Sequence, residues 1–150
     1  MIMYYSKQDL RLAVRFNLKL EELLRLKNHW VNARQRCYNK NDASYYRYGA
    51  RGIRVYTPWI GDLTRNDRKK NQRAFYLFVR WICIKSKIGP RPKGLTRMGL
   101  QRFTLDRIDN DRGYFPGNYR WSTPEQQMSN RSDYVRMGKL IRFPKKKRIA

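Results

Sequence analysis

Apolar residues in this chain fall into two helical stripes, one short alternating run and a compact downstream cluster. Leu23, Leu26, Trp30, Ala33 and Cys37 recur three or four positions apart. That spacing predicts a helix over 18–37, with Asn17 as its N-cap. Phe75, Phe78 and Ile82, with Leu77 and Trp81 beside them, predict a second helix over 74–84. Residues 39–52, NKNDASYYRYGARG, read as a loop punctuated by Gly49 and Gly52. Ile53 and Val55 then alternate with Arg54 and Tyr56, which predicts a short strand ending near Pro58. Residues 62–73 are polar and basic, a solvated turn or a phosphate-facing edge. Residues 85–102 mix Gly, Pro and charge, a long loop. There is no internal repeat.

The downstream cluster has a different rhythm. Phe103 and Leu105 alternate toward Ile108, a strand that carries Asp106 and Arg107. Gly113, Pro116 and Gly117 make 110–117 a loop, and Tyr119 and Trp121 flank Arg120 in a second strand. Thr123-Pro124-Glu125-Gln126 is a helix start: a capping hydroxyl, proline at the first position and Gln at the third. Gln127 and Asn130 lie three apart and share a face of that helix. The fold class is α+β, in three parts. Residues 1–102 form a basic helical and loop part, 103–132 a strand-loop-strand-helix unit, and 133–150 a basic tail.

Charge changes the picture. The chain has 35 Lys and Arg against 11 Asp and Glu, a formal charge of +24. A surface of that sign binds polyanions through counterion release, and the partner expected is double-stranded DNA. Apolar residues make up 41% and aromatics 14%, enough for a true core rather than a disordered basic tail. No stretch is long and apolar enough to span a membrane. The N-terminus lacks the apolar core of a signal peptide, so a cytoplasmic location is expected. Cys37 and Cys83 make no disulfide framework or four-thiolate zinc site and read as small buried residues. The single histidine, His29, stands among Lys27, Asn28 and Asn32 and reads as a surface or boundary residue. One histidine excludes any mechanism needing two. Sequence leaves monomer and homodimer equally open.

Between residues 31 and 103 stand 18 basic residues against three acids, so binding is expected to concentrate upstream. Arg47, Tyr48, Arg51 and Arg54 interleave aromatics with arginines, a composition suited to phosphate contact and stacking, or to a tyrosine loop packed on the core. Lys69 and Lys70, then Arg91 and Lys93, extend the basic surface. Lys145, Lys146 and Lys147 add phosphate contacts from the tail.

Against this background, Asp106, Asp109 and Asp111 crowd into six residues. Carboxylates facing a phosphate backbone are repelled by it unless a divalent cation lies between them. An acidic, metal-capable spot inside a basic surface points to a nuclease. Asp109 and Asp111 suit turn hydrogen bonds within the loop.

The stretch LDRIDNDRGYFPGNYRWSTPEQQMSN resembles the ββα-metal finger of the HNH endonucleases. It is most similar to small HNH-like proteins of bacteriophages, often homing endonucleases, whose front half also resembles RQRCYNKNDASYYRYGARGIRV here. The resemblance spans about residues 30–132. It implies one Mg²⁺ or Mn²⁺ ion held by Asp106 with Asn130, or with Gln127 as the rival ligand. It also implies an Asn118 amide that braces the loop, and packing for Trp121. Arg107 stands where the family keeps its histidine base, and a guanidinium stays protonated. A restriction-enzyme branch of the superfamily has Asp-Arg followed at this spacing by Gly-Tyr. That similarity implies Arg107 neutralising charge on the phosphate and Tyr114 or water as nucleophile, with Arg107 and the cation favouring phenolate. Arg112 and Arg120 would contact phosphates. The alternative is a non-catalytic nucleic-acid-binding or virion protein that keeps the finger as a scaffold.

Overall fold

The computed structural model describes residues 5–88, 91–95, 99 and 102–130, with residues 129 and 130 as backbone only. Five helices and a two-stranded antiparallel sheet are present among them.

The chain begins with a helix that its apolar spacing did not predict. Helix α1, Lys7–Arg15, starts from a capping box: the Ser6 hydroxyl accepts from the Asp9 amide, and Asp9 reaches back to the Ser6 amide. Asp9 is buried and its carboxylate is held by Lys27 Nζ of the next helix at 2.8 and 2.9 Å. Helix α2, Leu20–Tyr38, carries the apolar stripe, and Leu23, Leu26, Trp30, Ala33 and Cys37 are all buried. Asn17 is not its cap. It lies in the left-handed region, φ 51°, and turns the chain between α1 and α2, while Lys19 takes the N-cap position.

Two tight turns at 45–47 and 49–51 follow. The alternation at 53–56 is real in burial, with Ile53 and Val55 inside and Arg54 and Tyr56 outside. It makes no regular strand. Only Val55 pairs, in a parallel bridge to Tyr114, because helix α3, Thr57–Ile60, begins at once with Pro58 in its first turn. Helix α4, Arg68–Arg80, starts six residues earlier than the apolar spacing indicated, since Asp67 caps the Lys70 amide at 2.9 Å. A wider π turn over Trp81–Lys85 continues it.

Strands β1, Thr104–Arg107, and β2, Tyr119–Ser122, pair with Asp106 opposite Arg120 and Arg107 opposite Tyr119. Helix α5, Pro124–Asn130, follows directly, opened by Thr123 and Gln126 in a reciprocal cap. The hairpin has no core of its own. Leu105, Tyr114 and Tyr119 belong to the same buried cluster as Leu23, Trp30, Trp59, Phe75, Phe78 and Val79. Trp59 is the joint: its ring meets Phe78, Trp81 and Tyr119, and its carbonyl accepts from Trp30 Nε1 at 2.6 Å. Truncating a fully buried aromatic such as Phe78 to Ala costs about 3–5 kcal/mol. The helices are therefore the platform that fixes the hairpin.

Candidate functional site

Alternation along β1 and β2 sorts the site residues onto two faces. Leu105 and Arg107, opposite Trp121 and Tyr119, face the core. Thr104 and Asp106, opposite Ser122 and Arg120, face the other way. Helix α5 reaches that second face, since Gln127 Nε2 donates to Thr104 Oγ1. Asp106 is about one-fifth exposed and accepts from Arg120 Nη2 at 3.3 Å. Arg120 Nε and Ser122 Oγ are buried on this face without a hydrogen-bond partner among the described residues. Asp106, Gln127 and Arg120 thus share one face. The Asn130 side chain lies outside the described residues.

Arg107 and Tyr114, read as groups beside the phosphate, lie inside. Arg107 is 7% exposed. Its Nη1 donates to the carbonyls of Asn110 at 3.1 Å and Arg112 at 2.6 Å. Its guanidinium sits 5.0 Å from the Tyr48 ring centre and 4.8 Å from that of Tyr114. Tyr114 is buried, with its amide and carbonyl spent on Arg54 and Tyr56, and the charges of Arg107 and Arg36 act on its phenol. The expected lowering of its phenol pKa is reversed. Burial raises it well above the ordinary value, with Tyr48 adding to the rise, and the charges of Arg107 and Arg36 do not make up the difference.

The loop between the strands is tied at several points. Buried Asn118 accepts from the Asp109 amide at 2.9 Å and donates to the carbonyls of Asp109 at 3.1 Å and Gly113 at 2.8 Å. Asp109 Oδ1 takes the Asp111 amide at 2.8 Å, a turn bond within the loop. Gly113 has no substitute, because a Cβ there would stand 2.2 Å from the Arg54 carbonyl oxygen.

His29 is a boundary residue, as its sequence position indicated, but its packing was hidden. Its neighbours in sequence are polar, yet its ring stacks on Phe78 and meets Tyr114 and Tyr119 edge-on. The residue as a whole is half-buried, but Nε2 is sealed and has no partner among the described residues. Burial, then the charges of Arg36 and Arg107, lower its pKa to about 4. The available signal was its place one residue before Trp30, at the edge of the apolar stripe. Of the cysteines, Cys37 is buried and its thiol is pushed up to about 11 by burial, whereas Cys83 is exposed.

The basic residues divide by their partners. Arg47 is exposed and lies over the Tyr46 ring. Arg51 pairs with Asp111 of the hairpin loop at 2.5 Å. Arg54 Nη1 donates to the carbonyls of Gly49 and Ile53. Tyr48 is half-buried, stacked on Tyr114 and flanked by Arg36 and Arg107, so its ring is packed rather than offered to a base. Lys69, Lys70 and Lys93 are exposed, and Arg112 is exposed over Phe115. Arg91 is largely buried in an ion pair with Glu22. Lys145, Lys146 and Lys147 lie outside the described residues.

Among the described residues, no three His, Cys, Asp or Glu side chains gather into a metal-binding group. None of the described helices is long and apolar enough to cross a membrane. No family model, no curated protein and no solved structure matches this chain.

Proposed function

We propose that this chain is a divalent-metal-dependent DNA endonuclease of the HNH-like kind, with β1, β2 and α5 as its ββα finger. One observation carries the reading: Asp106 is turned out of the core onto the hairpin face that α5 crosses through Gln127. The oxygen groups on that face are the Asp106 carboxylate, the Gln127 amide oxygen and the buried Ser122 hydroxyl, which has no partner among the described residues. Oxygen donors suit a hard cation such as Mg²⁺ or Mn²⁺, and one carboxylate suits an ion completed by substrate phosphate rather than a closed protein cage. Asp106 would hold that ion with Gln127 or Asn130. When bound, it supplies charge stabilisation at the scissile phosphate.

The protein's own residues take the remaining roles. Exposed Arg112 and half-buried Arg120 contact phosphates. Asn118 and Arg107 hold the loop on which Arg112 stands. Water is the attacking group, because the Tyr114 phenol is buried and held protonated by that burial.

The test is cleavage of supercoiled plasmid with Mg²⁺ or Mn²⁺, with and without chelator, by the wild type and Asp106→Asn. Cleavage that requires the metal and Asp106 is the expected result. Failure to cleave any DNA with either ion sinks the reading. It would then favour a non-catalytic nucleic-acid-binding protein, a reading helped by the Arg120 pairing that already neutralises Asp106.

A further inference from the structure

Arg120 stands directly opposite Asp106 in the β1–β2 register, so both side chains leave the same face of the hairpin. Their contact is a single one, Nη2 to Oδ2 at 3.3 Å. A well-made guanidinium–carboxylate contact is shorter, about 2.7–2.9 Å, and often bidentate. Nε of the same guanidinium is buried and has no partner among the described residues. Arg120 is thus held near the carboxylate with much of its donor capacity unused. The Ser122 hydroxyl, next but one along β2, is also buried without a described partner.

We propose that Arg120 occupies the cation's position in the DNA-free protein, so that DNA and the divalent ion bind the Asp106 site as a coupled pair. The inference rests on the nuclease reading above. A cation approaching Asp106 alone meets the positive charge of Arg120 and must displace it from the carboxylate. A phosphate changes both conditions. It offers the planar Arg120 guanidinium a bidentate partner in place of the carboxylate, and it adds an oxygen ligand and negative charge for the ion. The two ligands therefore raise each other's affinity, and thermodynamic linkage makes the factor equal in both directions. Arg120 acts here as a positioning and selectivity residue: it keeps the free protein from loading metal until a strand lies on the hairpin.

The test is a Mn²⁺ titration followed by electron paramagnetic resonance of the free ion, at fixed salt. It uses the full chain, alone and with a hydrolysis-resistant phosphorothioate duplex. Wild type alone should bind Mn²⁺ weakly, and duplex should tighten it at least tenfold beyond binding by the duplex itself. Arg120→Gln alone should bind Mn²⁺ at least tenfold more tightly than wild type alone, with a smaller further gain from DNA. Arg120→Lys keeps the charge and should stay near the wild-type pattern, which separates displacement from a loss of fold. Asp106→Asn sets the background. Equal Mn²⁺ affinity in wild type and Arg120→Gln, with the same DNA gain in both, overturns the inference and leaves the nuclease reading intact. Absence of Mn²⁺ binding in every protein, with and without DNA, removes both.

Discussion

The two faces of the hairpin treat charge in opposite ways. On the inner face Arg107 is enclosed by the Tyr48 and Tyr114 rings and donates to two loop carbonyls. No carboxylate is paired with it among the described residues. On the outer face Asp106 meets Arg120 across one long contact and keeps partial access to solvent. A buried cation held by carbonyls and aromatic faces is a structural fastener, because removing it orphans every group around it. A loosely paired acid at a basic surface contributes little to stability, so its presence calls for a chemical reason. One strand thus carries an architectural charge and, on the proposed reading, a chemical one at adjacent positions.

The sharpest way to break this comparison is to exchange the two losses. Asp106→Asn should lower cleavage at least about a thousandfold, roughly 4 kcal/mol of barrier, and leave the thermal midpoint near that of the wild type. Arg107→Ala should do the reverse. Two carbonyls lose their donor and two ring contacts vanish, so unfolding free energy should fall by about 2–4 kcal/mol. Any residual activity would then track the folded fraction. Urea unfolding measured beside the cleavage rate checks both. A stable but inactive Arg107→Ala would return Arg107 to the phosphate.

Much of this division was legible. Once Leu105 is placed inside, period-two alternation puts Arg107 inside and Asp106 outside, and Thr123, Pro124 and Gln126 announced α5 correctly. Other features depended on contacts distant in sequence. The pairing of Val55 with Tyr114 cannot be read from either segment. The capping pair Ser6 and Asp9 was readable, but the apolar residues of α1 form no long stripe, since Leu10 and Val14 are exposed and only Leu12 and Ala13 are buried. Asn17 could serve as cap or as left-handed turn residue, and local sequence does not choose between them. His29 was legible as a boundary residue, but its ring neighbours, which come from α4, the hairpin loop and β2, were not.

His29 sharpens the comparison from the inner face, through pH. Its pKa falls from 6.5 to about 4 because burial, then Arg36 and Arg107, disfavour the imidazolium. The groups facing it are Phe78, Tyr114 and Tyr119, with those two arginines nearby. A depressed histidine pKa means the unfolded chain takes the proton first. Its contribution is therefore whole above about pH 6.5 and is lost as pH falls toward 4. At about 1.4 kcal/mol per unit, the loss by pH 4.5 is on the order of 2–3 kcal/mol. His29→Phe should show a smaller drop in urea midpoint between pH 7 and 4.5 than the wild type. An equal drop in both would mean that other groups set the acid sensitivity.

A smaller effect is expected at Tyr114. If its hydroxyl serves only the packed inner face, Tyr114→Phe removes the buried hydroxyl and retains the ring. Cleavage should fall by no more than tenfold, about 1.4 kcal/mol, and stability by about 1 kcal/mol. A loss of several orders of magnitude, or a phosphotyrosine adduct trapped by denaturing the reaction, would move Tyr114 into the chemistry.

The gentlest change is predicted for the arginine loop. Arg47, Arg51 and Arg54 all lie outside, but all three are already engaged, Arg47 through the Tyr46 hydroxyl and ring. Arg51 pairs with Asp111, and Arg54 spends Nη1 on two carbonyls. Replacing all three with Gln should weaken binding to every duplex sequence alike. The slope of log K against log salt should shrink by about 0.9–1.8, one or two phosphate contacts rather than three. Asp111→Asn provides the converse. It releases Arg51 from the hairpin loop and should tighten duplex binding about two- to fivefold, with a steeper salt slope if Arg51 then turns to phosphate. If Asp111→Asn instead weakens binding, the Arg51–Asp111 pair orients Arg51 for DNA, and this loop belongs with the fasteners of the inner face rather than with the open charges of the outer one.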